Sequence, residues 1–400
     1  MPSFLDAPRL SIRDLDLEGR RLFLRADFNV PVDGGAIKDD TRIRETLPTI
    51  RLALERGASL VLASHLGRPK GGPDPKASLA PVAARLGKLL ERLVDLTVDC
   101  VSEATAKRCA SLSPGEVVLL ENLRFHPEEQ KGDAAFAQRL ASYADEYAND
   151  AFGTCHRADA SVSATARCFK HPAAGLLVER ELNALSRLLA RPERPFVAVL
   201  GGAKVSDKLP VMRGLLPKVD TMLVGGAMAY TLLMAKGVAV GSSLAEPTLL
   251  DDVRALLVEA ERLGRRILLP VDHVVSIPTG SEPTTGRVVD GGFSEGAGFD
   301  IGPRTIDAYA REVAAARTVL WNGPLGRFEV PQFAKGTEAM ARAVAESKAY
   351  TVVGGGDSIA ALNATGLSAR IGHVSTGGGA LLELLAGEPM PGLEALAPAR

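Results

Sequence analysis

Short, nearly continuous apolar runs alternate with amphipathic helical periods along most of this chain. The runs cover residues 21–26, 59–63, 117–120, 196–200, 221–224, 266–269, 318–321 and 351–353. A strand with one solvated face alternates in polarity. These do not, so they read as strands buried on both faces. Between them, residues 43–54, 79–90, 249–263 and 333–344 show helical spacing with charges on one face. Such alternation predicts parallel sheets with helices on both sides. A closed eight-fold barrel usually takes ~250 residues. At ~100–200 residues per domain, a chain of this length favours two sheets over one. Residues 170–175 read as a loop and 177–190 as one helix, ended by Pro192 and Pro195 before a fresh strand. That helix is a natural connector between two α/β lobes.

Composition excludes several classes. A hydrophobic share of 46% rules out disorder as the dominant state. The 47 Lys+Arg nearly cancel the 48 Asp+Glu, so there is no bulk field for a generic nucleic-acid binder. The best membrane candidate, 221–235, falls short of ~20 apolar residues and is split by Gly225 and Gly226. The N-terminal residues are acidic early and lack the apolar core of a signal peptide. Cys100, Cys109, Cys155 and Cys168 form no C-x-x-C pair, and the six His show no metal-ligand spacing. This favours a reducing cytoplasm and weighs against zinc.

Four glycine clusters directly follow apolar strands: Gly201-Gly202, Gly225-Gly226, Gly354-Gly355-Gly356 and Gly377-Gly378-Gly379. Ligands of open α/β sheets bind beyond the carboxyl ends of strands. There glycine lets backbone N–H groups approach a phosphate, and the next helix start adds positive partial charge. One cluster could be a tight turn and no more. Four in the second half point to a nucleotide. No G-x-x-x-x-G-K-[ST] is present, and none of the four clusters reads G-x-G-x-x-G. Lys204 and Lys208 are expected at the opening of a helix, where cations oppose the dipole unless an anion sits between them. Asp357 reads as an N-cap that could also hold Mg²⁺ on nucleotide phosphates.

The first half places basic residues in strand-end loops instead. Asp27, Phe28 and Asn29 follow one strand, with Arg42 just before a helix. His65, Leu66, Gly67 and Arg68 follow a second strand, Arg124 a third, and Arg157 a fourth. Arginine forks grip phosphate and carboxylate. Repetition at one topological place predicts a single site for a small, doubly anionic ligand. His126 and His156 gain no partner from the sequence and read as structural. A nicotinamide oxidoreductase would need the dinucleotide glycine turn. A non-catalytic binding protein would not need Lys204, Asp357 and four glycine loops.

Taken together, RADFNVP (25–31), SHLGRP (64–69), LENLRFH (120–126), NDAFGTCHRA (149–158), GLLVERELNAL (175–185), LGGAKVSDK (200–208), VGGAM (224–228), WNGPLGRFE (321–329), GGGDS (354–358) and STGGGA (375–380) resemble the phosphoglycerate kinase family. The resemblance implies an α/β chain of two Rossmann-like lobes, with parallel sheets joined by a helix and hinge. It implies a phosphoglycerate-binding domain over 1–176, a connecting helix over 177–191 and a nucleotide-binding domain over 192–376, with 377–400 returning to the first domain. The implied reaction is 1,3-bisphosphoglycerate with ADP giving 3-phosphoglycerate and ATP, with Mg²⁺, in a cytoplasmic monomer without nucleic-acid or membrane partners.

By motif, Asp27, Phe28, Asn29, Arg42, His65, Leu66, Gly67, Arg68, Arg124 and Arg157 are similar to the family's phosphoglycerate site. Lys204, Lys208, Gly226, Glu329, Gly354, Gly355, Gly356, Asp357 and Ser358 are similar to its nucleotide site, with Asp357 on the metal and Glu329 on the ribose. Arg42, Lys204, Gly355 and Gly378 are the expected catalytic groups. The chain departs from the pattern at Ala26, Cys155, Asp159 and Ser358. Asp159 sets a negative charge two residues from Arg157.

Overall fold

The computed structural model describes residues 3–277 and 286–399. The chain divides into two compact units. One runs to Leu185 and is completed by the segment from Glu388 onward; the other is Ser186–Gly387. The division falls inside one helix, Leu176–Leu189.

The first unit is built on a six-stranded parallel sheet. Its spatial order is Val94–Leu96, Val117–Leu119, Ser59–Ala63, Arg21–Arg25, Glu146–Asn149 and Ala173–Ala174. The central strands pair Leu22 with Leu60 and Leu24 with Leu62. Both faces are covered, and Leu22, Phe23, Leu24, Leu60, Val61 and Leu62 are all fully buried. Each such side chain contributes about 1.5–3 kcal/mol by leaving water. That is why the runs are continuous rather than alternating. Two strands escape the sequence pattern because they are short. Val94–Leu96 carries Asp95 at its centre. Ala173–Ala174 lies in the stretch expected to be a loop, and it pairs with Ala148 and Asn149.

In the second unit the order is Arg266–Leu268, Thr221–Val224, Phe196–Leu200, Thr318–Asn322, Tyr350–Gly354 and His373–Ser375, again all parallel. Numbered along the chain this is 3-2-1-4-5-6, the doubly wound order. The first sheet, numbered the same way, runs 3-4-2-1-5-6, and both units are parallel α/β lobes of Rossmann-like type. The order reverses between Phe196–Leu200 and Thr318–Asn322, so a crevice opens beyond Leu200 and Asn322. The amphipathic periods form Thr41–Glu55, Ala80–Leu90, Leu250–Arg262 and Lys335–Glu346. A three-stranded antiparallel sheet was not expected: Asp272–Ser276 pairs with Arg287–Asp290 and Ala297–Ile301. Among the described residues, no helix is long and apolar enough to cross a membrane.

Two fully or nearly buried carboxyls hold backbone turns. Asp150 Oδ1 accepts the N–H of Leu177 at 2.8 Å, at the start of Leu176–Leu189. Asp300 accepts Ile301 and Gly336 N–H at 2.9 and 2.8 Å. Burial outweighs these bonds and pushes both carboxyls up to about 7. His273, 1% exposed, is driven down to about 4 by the same loss of solvent. The two effects on stability oppose each other. Between about pH 4 and 7 the folded chain keeps protons on Asp150 and Asp300 that the unfolded chain has released, so this contribution falls as pH rises. Below about 6.5 the unfolded chain protonates His273 and the folded chain does not, so that contribution falls as pH drops.

Asp150→Asn retains an acceptor for Leu177 but cannot ionise. Relative to the parent, it is expected to gain stability steadily from pH 4.5 to 7.5, by on the order of 3–4 kcal/mol. Urea melts at several pH values measure this, and a pH-independent difference would contradict it.

Candidate functional site

In the first unit the strand-end loops are tied into one network. Arg42 reaches back from its helix, its Nη1 donating to Asp27 Oδ2 at 2.9 Å and to the Asn29 carbonyl at 3.3 Å. Asn29 Oδ1 accepts the Gly67 N–H at 2.9 Å, and Phe28 N–H donates to Ser64 Oγ at 2.9 Å. Arg124, 4% exposed, donates from Nη1 to the Gly67 carbonyl at 2.7 Å. Its Nε is buried without a hydrogen-bond partner among the described residues. Asn122 clamps Leu66 from both sides, accepting its N–H at 3.2 Å and donating to its carbonyl at 2.8 Å. Three loops distant in sequence are thus fixed against one another by the protein's own hydrogen bonds.

Behind them runs a buried relay. Arg25 is fully buried at the end of its strand. Its Nε donates to Ser161 Oγ at 2.7 Å, and the Ser161 hydroxyl donates to Glu129 Oε1. Glu129 Oε2 also accepts the Ser161 N–H at 2.9 Å. The other end of the Arg25 guanidinium, Nη2, lies 3.2 Å from His65 Nδ1. A guanidinium only donates, so His65 Nδ1 accepts and its proton sits on Nε2. Burial, then the charges of Arg25, Arg157 and Arg42, hold His65 well below its ordinary range. At neutral pH it is an uncharged N–H donor in a strongly cationic corner.

Arg157, on the loop after Glu146–Asn149, donates from Nε to His156 Nε2 at 3.3 Å. Asp159 is 5% exposed. Desolvation raises its carboxyl, while Arg25 and Arg157 pull the other way, so it is a partial counterweight to those arginines. Of the residues expected here, the hydrogen-bond network joins Asp27, Phe28, Asn29, Arg42, Leu66, Gly67 and Arg124. The relay and the local field add His65 and Arg157. Arg68 is exposed and makes no hydrogen bond or ion pair among the described residues. The sequence reading noted Arg25 only as a basic residue at a strand end and missed Asn122, Glu129 and Ser161. A charged residue ending the apolar run RLFLR was the available signal for Arg25. Nothing local marks Glu129 or Ser161.

In the second unit, four expected glycine clusters and a fifth, Gly323–Gly326, lie at the carboxyl ends of five neighbouring strands: Val224, Leu200, Asn322, Gly354 and Ser375. Leu200 and Asn322 flank the switch point. A Cβ on Gly201 would meet the Pro324 carbonyl oxygen at 2.0 Å, and one on Gly323 would meet the Gly201 oxygen at 2.1 Å. Only glycine lets these two loops pass so closely. Four helices follow the expected clusters, and none has a side-chain N-cap bond. By contrast, Ser102 and Asp133 cap helices of the first unit. The open N–H groups beyond Gly355 and Gly378 suit an anion.

Two placements differ from expectation. Lys204 is exposed in the loop and not at a helix opening; the helix Leu209–Leu215 starts only after Lys208. A bond from Ser206 N–H to Glu246 at 2.9 Å and one from the Ser206 hydroxyl at 2.7 Å tether that loop. Asp357 is not the N-cap of Gly356–Ala364; Gly355 is, with φ 96°. Glycine displaces the carboxylate from that post, leaving Asp357 exposed on the first turn.

Lys208 is half-buried, and its Nζ donates to Asn322 Oδ1. Desolvation lowers its pKa, while Asp207 and Asp357 oppose the shift. Ser358 is buried, and its hydroxyl accepts the Gly323 N–H at 2.6 Å, so it braces the loop. Glu329 is exposed, and Gly226 adjoins Gly202. Asn322, fully buried and bonded to the Gly354 carbonyl at 2.7 Å, is a site residue the sequence reading passed over. Asp357, an exposed carboxylate on the first turn of a helix without a side-chain cap, fits Mg²⁺, which takes one or two carboxylates beside phosphate oxygens.

If Arg25 fixes the imidazole, nitrogen-15 spectra from pH 5 to 8 are expected to show His65 neutral throughout, with its proton on Nε2. A titration midpoint near 6.5, or a proton on Nδ1, would contradict the relay.

Similarity to known proteins follows the same pattern. The family model described as phosphoglycerate kinase matches residues 12–388. A phosphoglycerate kinase of Koribacter versatilis is 49% identical over 398 residues, covering 97% of this chain and 99% of that protein. One from an Anaeromyxobacter strain is 53% identical over 393 residues, covering 96% and 98%. Among solved structures, phosphoglycerate kinase from Coxiella burnetii superposes with a TM-score of 0.90 at 40% identity, covering 97% of this chain and 98% of that one. That from Pyrococcus horikoshii gives 0.83 at 33% identity, with the same coverage.

Proposed function

The chain belongs to the phosphoglycerate kinase family, and from that premise we infer how its own residues carry the reaction. The reaction is reversible phosphoryl transfer from 1,3-bisphosphoglycerate to ADP, giving 3-phosphoglycerate and ATP in glycolysis, with Mg²⁺ accompanying the nucleotide. The observation that carries the assignment of roles is the division of anion-binding devices: arginine forks in one unit, glycine-loop amides in the other.

Arg42, Arg68, Arg124 and Arg157, with the Nε2–H of His65, bind the phosphate and carboxylate of phosphoglycerate. Asp27, Asn29 and the Leu66–Gly67 backbone hold those groups in place. The amides beyond Gly354, Gly355 and Gly356, with Lys208, bind the nucleotide phosphates, and Gly226 and Glu329 border the nucleoside. Asp357 holds Mg²⁺, which when bound neutralises charge on the phosphates. A carboxylate nucleophile is already ionised at neutral pH, so no general base is required. Catalysis therefore rests on alignment and charge. Lys204, Arg42 and the amides at Gly355 and Gly378 supply the positive groups for the moving phosphoryl oxygens. In-line transfer brings the two bound substrates together, so closure of the units is part of this reading. Exclusion of water then protects the acyl phosphate. The chain acts in the cytoplasm on this reading.

A coupled assay of ATP consumption with 3-phosphoglycerate tests the function directly. Arg68→Lys keeps the charge and loses the fork. It is expected to weaken phosphoglycerate binding by on the order of 1–3 kcal/mol. Unchanged KM and kcat would remove Arg68 from the site.

Lys204→Ala is expected to lower kcat by roughly 10²–10³ while nucleotide Kd moves far less. Lys208→Ala should lose affinity first. Steady-state kinetics with nucleotide titrations separate the two, and a Lys204→Ala enzyme that keeps its rate but loses nucleotide would reverse the assignment. In Asp357→Asn, melting should barely change, because Gly355 is the cap, whereas Mg-nucleotide affinity should drop. Equal affinity would leave Asp357 without a metal role.

A further inference from the structure

Folding assembles a mixed donor set that sequence spacing conceals. Asp99 and Cys100 lie in the turn between Val94–Leu96 and the helix Glu103–Ala110. His126 follows the short turn Leu123–Phe125. A carboxylate oxygen, a thiol sulfur and an imidazole nitrogen from these three residues lie within 4.8 Å of one another. His126 Nε2 is 2.7 Å from Asp99 Oδ2.

The cluster is held in place by its surroundings. Asp99 Oδ1 accepts the Val101 N–H at 2.7 Å, which aims Oδ2 at the centre. The Asp99 carbonyl accepts the Thr105 hydroxyl. The His126 ring leans on Phe136 at a centroid distance of 5.6 Å. Cys100 is 1% exposed and closes the inner side, whereas Asp99 and His126 are partly exposed and leave a path from solvent.

We propose that Asp99, Cys100 and His126 form a three-ligand site for a soft divalent cation of the Zn²⁺ class. Three protein ligands leave the fourth tetrahedral position open. Thiolate and imidazole donors select against Mg²⁺, so this cation is chemically distinct from the one that accompanies the nucleotide. On binding, the Cys100 S–H bond breaks, its proton passes to solvent and the sulfur bonds the metal. The proton that His126 Nε2 shares with Asp99 Oδ2 leaves for Nδ1 by exchange with solvent, which frees the Nε2 lone pair and Oδ2 to turn to the same ion. No electron changes hands. Donors at ~2.0–2.3 Å from a tetrahedral ion stand roughly 3.3–3.8 Å apart. The Asp99–His126 pair therefore needs to open by only about 1 Å. Because a proton is released, affinity rises with pH.

The test uses the full-length chain, stripped of metal with a chelator, kept reduced and titrated with Co²⁺ in an absorption spectrometer. The expected result is a thiolate-to-metal charge-transfer band that saturates at one ion per chain. Zn²⁺ displaces it and excess Mg²⁺ does not. Cys168→Ser, which removes the exposed thiol, keeps the band. Cys100→Ser loses it, and His126→Gln weakens Co²⁺ binding at least tenfold, with circular dichroism reporting that each variant is folded. Absence of the band in the parent chain, its survival in folded Cys100→Ser, or its loss in Cys168→Ser would each overturn the site. If Cys100→Ser fails to fold, the parent titration and the Cys168→Ser control still decide between these outcomes.

Discussion

Burial of both faces of a parallel sheet governs the rest of this molecule. Strands such as Ser59–Ala63 and Phe196–Leu200 are buried at every position, so they cannot present polar chemistry sideways. Side chains and amides that must meet a charged ligand are left the strand ends. In both units the expected ligand-facing groups lie beyond carboxyl ends, where helix starts also point their N–H groups. The core's demand for apolar contact and the site's demand for polar contact are thus met at different ends of the same elements.

On the proposed reading, the two units hold an anion with different chemistry. The first spends side chains. Arginines approach from separate loops and are braced by Asp27, Asn29 and Asn122 and by the buried Glu129–Ser161–Arg25–His65 relay. The second spends backbone. Its loops are packed so tightly at Gly201 and Gly323 that amides rather than side chains line the edge. Fixed forks suit a small carboxylate-phosphate, whose charges have defined directions. Open helix starts suit a flexible polyphosphate.

The alternation of apolar runs and helical periods made both sheets legible, and the glycine clusters and loop arginines pointed to the carboxyl edge of each sheet. These signals are local: a strand end, a turn and a charge lie within a few residues of one another. What escaped detection was long-range or atypical. Ala173–Ala174 is a two-residue strand with no pattern of its own; its partners Ala148 and Asn149 define it. The antiparallel sheet around Asp272–Ser276 has one strand, Arg287–Asp290, with no buried residue, so no apolar run announces it.

By itself, then, the sequence determined the class of fold, the family and the list of residues that could grip an anion, because periodicity and motif are properties of neighbours along the chain. Only the tertiary structure decided which of those residues support one another. It removed Asp357 from the N-cap in favour of Gly355 and put Lys204 in a loop. It turned Ser358 into a brace for Gly323 and revealed that Arg25 fixes the His65 proton. It also gathered Asp99, Cys100 and His126 at one point. The physical reason is common to all of these: hydrogen bonding, desolvation and charge act over a few ångströms of space, and the chain reaches those distances only by bringing together strands and loops far apart in sequence.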